Sequence, residues 1–127
     1  MLTGTYKRHA DIPEGDLRRH FPRFSDENFP NILKLVDEFE GVGRKHDSTA
    51  GQICLAWLLA QGDDIIPIPG TKKIKYLKEN LDALRIQLDS DELKQIRGYA
   101  ETANKTIPGD RYPAVYMSAL FADTPEL

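Results

Sequence analysis

Apolar residues recur at helical spacing in four stretches of the chain. Ile32, Leu33, Val36 and Phe39 form one stripe and predict a helix from about Phe29 to Arg44. Asp26, Glu27 and Asn28 supply capping acceptors, and Pro30 suits a first turn, where its missing N–H costs nothing. Gly41 and Gly43 weaken the last turn, each by about 1 kcal/mol relative to Ala. The run Ile53 to Ala60 is apolar almost all round, which predicts a second helix buried on more than one side. Thr49 and Gln52 make a T-x-x-Q capping box at its start, and Gly62 suits its C-terminal cap. Ile74, Leu77, Leu81 and Leu84 share a face of a third helix, about Ile74 to Leu84. A fourth opens at Asp89, with Glu92 as the second half of a D-x-x-E cap and Leu93, Ile96 and Ala100 on its stripe.

One segment breaks this period. Asp63-Asp64-Ile65-Ile66-Pro67-Ile68-Pro69-Gly70 is a short apolar run between turn signals, the mark of a strand buried on both faces of a parallel sheet. Pro67 removes a ladder hydrogen bond, so the strand is short or that edge faces away from a neighbour. Such a strand needs partners, and the only other candidate is the strand end Leu2-Thr3. Residues 1–28 read as a long loop with at most one short helical turn, and their Arg18, Arg19 and Arg23 as a solvated surface. Residues 104–127 read as an extended C-terminal loop whose Tyr112, Tyr116, Met117, Leu120 and Phe121 can dock on a larger body.

Composition narrows the class to a mixed α/β chain. At 127 residues the sequence fits one domain and falls short of the roughly 250 residues of a complete (β/α)8 barrel. The net charge of -3 leaves no basic footprint for nucleic acid. A single cysteine, Cys54, cannot close an internal disulfide. With no leader-like start and no spanning run, the expectation is a cytoplasmic protein with no membrane partner. Cys54 and Trp57 read as core, Asp63-Asp64 as an exposed turn, and His9, His20 and His46 as scattered surface histidines without metal-ligand spacing.

The most informative chemistry lies at Pro69-Gly70-Thr71-Lys72-Lys73-Ile74-Lys75-Tyr76-Leu77-Lys78-Glu79-Asn80. It places a glycine turn, a hydroxyl and four lysines at a helix start. Ammonium groups there oppose the helix dipole, which favours anions. Free N–H groups, the Thr71 hydroxyl and the lysines together suit a phosphate, against the plain alternative of a solvated basic helix face. The segment is not a Walker motif, because no G-x-x-x-x-G-K is present.

Four blocks in order carry a resemblance. They are Leu2-Thr3-Gly4 with Lys7, Asp16 to Phe24, Thr49 to Trp57, and Ile66-Pro67-Ile68-Pro69-Gly70-Thr71 through Asn80. The sequence resembles the C-terminal part of the aldo-keto reductases. That resemblance implies a portion of a (β/α)8 TIM barrel, helix-rich with one or two parallel strands. Ile65–Ile68 would be the eighth strand, and residues 1–28 a loop covering the cofactor. It implies NADP as cofactor and hydride transfer to carbonyls as the family chemistry. Gly70, Thr71, Lys72 and Lys73 would hold the adenosine 2′-phosphate. Tyr76, where family members often carry Arg or Gln, would lie at the adenine end with Glu79 and Asn80.

The family's Asp, Tyr, Lys and His tetrad comes from earlier strands, and no residue here matches those motifs. The resemblance therefore implies a truncated reductase, inactive alone, that keeps the cofactor-tail segment. The competing expectation is a non-catalytic nucleotide-binding or barrel-completing module, which would self-associate or meet a protein partner through an open strand edge.

Overall fold

The computed structural model describes residues 2–118 and residue 120, and they form a helical body. Five α-helices occur in it: α1 Phe29–Lys45, α2 Ala50–Leu59, α3 Ile74–Asp82, α4 Ser90–Thr106 and the short α5 Ala114–Met117. Before α1 the chain makes three 3-10 turns, His9–Asp11, Leu17–His20 and Pro22–Phe24, more local order than the expected loop.

Helix α1 is the hub, packed on both α2 and α4. Its apolar stripe is realised: Ile32, Val36 and Phe39 are buried, and Val42 joins them. Phe39, Val42, Ala50, Ile53 and Ile96 form one core, with Leu35, Cys54, Trp57 and Tyr99 against it. Ile32, Ala103 and Ile107 form a second, where α1 meets the end of α4. Each large side chain withdrawn in this way stabilises the fold by roughly 1.5–3 kcal/mol.

The helix starts show where local rules hold. At α2, Thr49 Oγ1 accepts from the Gln52 N–H at 3.2 Å, and Gln52 Oε1 accepts from the Thr49 N–H at 2.9 Å. At α4, Asp89 Oδ1 accepts from the Glu92 N–H at 2.8 Å, and Glu92 Oε2 accepts from the Asp89 N–H at 3.2 Å. Both expected capping boxes are present. Asn28 departs from expectation at α1. Its backbone is helical (φ -83, ψ -22), where a capping residue is extended, and its side chain caps nothing. The buried amide instead donates to Pro22 O at 3.1 Å and to Pro108 O at 2.8 Å.

The expectation of a strand is corrected. No strand forms among the described residues: Ile65–Ile68 is coil and Leu2-Thr3 lies in a turn. A ladder needs a neighbouring strand, and Pro67 and Pro69 have no N–H to give. Ile66 and Ile68 stand 80% and 92% exposed. Helix α2 buries Ala50, Ile53 and Ala56 and packs against α1, α3 and residues 83–85, while Leu58 and Leu59 stay exposed at its end. The stripe of α3 exists, but Ile74, Leu77, Leu81 and Leu84 are all exposed. Leu59, Ile66, Leu77, Leu81 and Leu84 line one apolar cavity.

Boundaries shift modestly. Helix α3 ends at Asp82 and a 3-10 turn, Ala83–Arg85, carries the chain on, with Ala83 buried. Ala60 caps α2, and Gly62 follows in the turn at φ +151. Helix α4 runs to Thr106, into the segment expected as loop, because Asn31 Nδ2 caps the Thr106 carbonyl at 2.8 Å. Phe121, among the tail residues expected to dock, lies outside the described residues.

Gly43 has a reason that helix propensity hides. The chain folds back at once, with the Ser48 N–H donating to Gly43 O at 2.9 Å. A Cβ on Gly43 would lie 2.3 Å from Ser48 O, a backbone atom that cannot swing aside. Gly98, in the exposed middle of α4, has nothing within 4 Å of such a Cβ. Gly43→Ala is therefore expected to destabilise the chain by about 2 kcal/mol or more, as overpacking does. Gly98→Ala should stabilise it by about 0.5–1 kcal/mol through helix propensity. Urea unfolding of the two variants checks both signs.

Candidate functional site

The site expected from sequence sits at the start of α3. Gly70, Thr71, Lys72, Lys73 and Tyr76 are contiguous and exposed there. Thr71 makes the local turn: its Oγ1 accepts from the Lys73 N–H at 3.1 Å. Lys73 is the N-cap residue, with extended backbone and no side-chain cap. The Tyr76 and Leu77 N–H groups return to Lys73 O at 3.0 and 3.1 Å. The Ile74 and Lys75 N–H groups open the helix, where no intrahelical acceptor exists, and make no hydrogen bond among the described residues. Lys73 Nζ lies 5.7 Å from the centre of the Tyr76 ring. A Cβ on Gly70 would meet nothing within 4 Å, so the bend is open to an incoming group.

Glu79 and Asn80 lie one turn further on and face inward. Glu79 Oε1 accepts from Thr49 Oγ1 at 2.9 Å, and Glu79 O accepts from Gln52 Nε2 at 3.1 Å. The start of α2 and the middle of α3 are thereby bonded together. The capping box of α2 is thus part of the scaffold that holds the lysine-bearing helix, a link that sequence spacing within one helix does not show. Asn80 borders an apolar cavity of about 420 Å³ on the other side of the bend, lined by Leu55, Leu59, Ile66, Pro69 and Leu77 among others. Gly70 through Tyr76 are all exposed, whereas Glu79 is bonded to α2 and Asn80 borders this cavity.

The residues read as bland surface are better anchored than expected. Arg18 donates from Nε to Asp16 Oδ1 at 2.9 Å and from Nη2 to Tyr6 Oη at 3.2 Å. Arg19 Nη1 donates to Ile12 O at 2.9 Å. Two of the three arginines therefore knit residues 6–19 into one unit rather than facing solvent alone. Two of the three histidines are likewise tied in. His46 Nε2 contacts both carboxylate oxygens of the buried Glu92 at 3.0 Å, and His9 Nε2 meets Arg19 O at 3.1 Å. Signals for these pairs lie up to 46 positions apart, outside the reach of local spacing. Burial pushes the Cys54 thiol up to about 12, in keeping with its expected role as a small apolar filler. Among the described residues, no helix is long and apolar enough to cross a membrane.

With this geometry in place, comparison with known proteins identifies the class. Residues 1–101 match the aldo/keto reductase family, and the chain belongs to it. The chain is 49% identical over all of its 127 residues to "Aldo-keto reductase yakc [NADP(+)]" of Schizosaccharomyces pombe. It is equally similar, at 49%, to "Aldo-keto reductase str7" of Strobilurus tenacellus. The chain spans 37% of the length of each of those two relatives. "Probable aldo-keto reductase 1" of Glycine max is 35% identical over 91% of this chain and 33% of its own length. No solved structure matches.

The ionic unit at Asp16 has a defined pH response. Hydrogen bonds from the Arg18 side chain, then from its backbone N–H, lower the Asp16 carboxyl from 3.8 to about 2. A carboxyl lowered on folding stabilises above its unfolded value, and that stabilisation is lost as pH falls through the folded one. Order in residues 6–19 is therefore expected to hold at pH 4 and to fall away toward pH 2. Arg18→Gln should move the loss upward toward pH 4, as read by the Asp16 carboxyl chemical shift against pH. The Thr49–Glu79 bond gives a second test. Thr49→Ala removes a cap and that link, and should cost about 1–2 kcal/mol. A double-mutant cycle with Glu79→Ala should show coupling of about 0.5 kcal/mol or more.

Proposed function

We propose that this chain is the cofactor-tail portion of an NADP-dependent aldo-keto reductase, in which the start of α3 holds the adenosine 2′-phosphate. The observation that carries the reading is the exposed helix start itself. Unpartnered Ile74 and Lys75 N–H groups stand beside Lys72 and Lys73, with an open bend at Gly70. Phosphate suits that set, because amide donors, the positive end of the helix dipole and two ammonium groups all favour a dianion. Membership in the family and the NADP(+) in a relative's name support it.

Each residue has a part. Lys72 and Lys73 supply charge, and the Ile74 and Lys75 N–H groups supply directed donors. Thr71 holds the bend through Lys73 N–H, which sets where the ammonium groups begin. Tyr76, under the Lys73 ammonium, offers a ring face for the adenine. Asn80 supplies an amide at the inner side of the same turn of helix, and Glu79 fixes α3 to α2. When bound, NADPH supplies the hydride of the family's carbonyl reduction. The chemistry belongs to a tetrad that these residues do not provide, so the chain by itself is proposed to bind and not to reduce.

The reading extends to architecture and place. Ile65–Ile68 would become the eighth strand of a (β/α)8 barrel once neighbours pair it, residues 1–28 would cover the cofactor, and the protein would work in the cytoplasm. A second reading has its own observation. The adjoining exposed apolar side chains Ile65, Ile66, Leu77, Leu81 and Leu84 are unusual for a free monomer and suit a module that completes another barrel or self-associates.

Replacing Lys72 and Lys73 together by Ala is expected to weaken NADPH about tenfold or more, near 1.4 kcal/mol, and to leave NADH almost unchanged. Titration of both nucleotides by calorimetry reads the difference, and equal losses for the two would overturn the 2′-phosphate assignment. Carbonyl-dependent NADPH oxidation by the purified chain at the rate of a complete reductase would overturn its proposed inactivity. Sedimentation that shows only monomer at high concentration would count against the second reading.

A further inference from the structure

The segment from Asp63 to Lys73 carries a pattern that the nucleotide site uses only in part. Acidic side chains stand at one end, Asp63 and Asp64, and basic ones at the other, Lys72 and Lys73. Ile65-Ile66-Pro67-Ile68-Pro69 lies between them. All four charged residues are exposed, and no ion pair among the described residues involves them. Ile66 and Ile68 each precede a proline, whose ring holds the residue before it to extended backbone. Extended residues turn their N–H and C=O groups to alternate edges. The main-chain groups of Ile66 and Ile68 therefore share one edge, and the edge of Pro67 and Pro69 has no proline N–H to give.

Nothing in the body engages the competent edge. The main chain of Ile66 and Ile68 makes no backbone hydrogen bond among the described residues. Ile66 is 80% exposed and Ile68 92%, so little of either residue is covered, main chain included. Unpaired donors and acceptors in a row beside apolar side chains are a template for another strand. The template here is one-sided, so it takes one strand rather than two.

We propose that a second copy of this chain fills that edge, with residues 66–68 of the two copies paired antiparallel about a two-fold axis at Pro67. The proposal rests on the self-association reading above, to which it gives a partner and a register, and it does not need the 2′-phosphate assignment. Ile66 of each copy faces Ile68 of the other, and each such pair exchanges two N–H···O bonds. Pro67 faces Pro67 at the non-hydrogen-bonded position between them, where a missing N–H costs nothing. Antiparallel pairing also sets the acidic end of each copy against the basic end of the other. In this register Asp64 lies opposite Gly70 and Asp63 opposite Thr71, with Lys72 and Lys73 next along. Parallel pairing would set like charges side by side, which is unfavourable. The segment is thus complementary to itself in charge as well as in hydrogen bonding, and in one direction only.

Two charge-reversed chains give the test. One carries Asp63→Lys with Asp64→Lys, the other Lys72→Asp with Lys73→Asp, and each sets like charges together at both ends of its own pair. Sedimentation equilibrium over a concentration series is expected to show a monomer–dimer equilibrium for the unaltered chain. Either charge-reversed chain alone should dimerise about tenfold more weakly or worse. An equimolar mixture of the two should recover the dimer, because every facing pair is again opposite in sign. Ile68→Pro removes one ladder donor from each copy and should also weaken the dimer about tenfold. Pro67→Val changes only the outward edge and should leave it within about twofold. In a mixture of isotope-labelled and unlabelled chain, Pro67 Hα should give an intermolecular NOE to Pro67 Hα of the other copy, a reading that needs no variant. A dimer indifferent to charge reversal, no recovery in the mixture, or no contact between the two Pro67 residues would each overturn the proposal and leave self-association by another face. Monomer at every concentration, the result if a strand of a different protein is the occupant, would overturn both. No nucleotide enters these measurements, so the assignment at Lys72 and Lys73 fails or stands separately.

Discussion

Helix α1 is gripped at both ends by α4, and the rest of the body depends on that grip. At one end, Asn31 caps the Thr106 carbonyl, while Asn28 reaches Pro108 O just beyond α4. At the other, His46 meets both oxygens of Glu92, which also closes the capping box of α4. The two helices therefore run antiparallel with polar ties at each end and an apolar seam between, built around Phe39, Val42 and Ile96. The buried Glu92 carboxylate is tolerable because each oxygen has a donor or a cation nearby, Lys45 Nζ included at 3.8 Å. Helix α2 is fixed to this pair by the tight return at Gly43. Helix α3 is fixed to α2 by Thr49, Gln52 and Glu79.

What the sequence made legible follows from the range of the interaction involved. The helices of α1 to α4 were readable because apolar period and caps act within a turn or two. Thr49 with Gln52 and Asp89 with Glu92 sit three residues apart and fold as read. Asn28 fails the same local rule because two distant carbonyls, at Pro22 and Pro108, compete for its amide and win. The run Ile65–Ile68 has the composition of a buried strand, yet composition cannot supply the second strand that a ladder requires. The lysine cluster at Lys72 and Lys73 was visible as charge beside a helix start. The anchoring of Glu79 to Thr49, thirty positions away, was not, since nothing in a one-dimensional pattern pairs a cap with a helix beyond the next turn.

These points converge on the bend at Pro69-Gly70. One side of it is apolar: Ile66, Pro69 and Leu77 border the cavity that Leu55 and Leu59 also line. The other side is cationic and open, with Lys72, Lys73 and two unpartnered N–H groups. A body that paired the Ile65–Ile68 backbone and covered the α3 stripe would bury the first side. It would also fix the direction from which the chain enters α3, and with it the spacing between the ammonium groups and the amide donors. Apolar packing and the proposed anion site would then be linked through one short segment. At the proposed phosphate site, binding would gain from every contact that holds Ile66 and Leu77 in place, because a preset cradle loses less entropy on meeting its anion. In the proposed site, the charge would decide which ligand is taken, and the apolar side how tightly it is held.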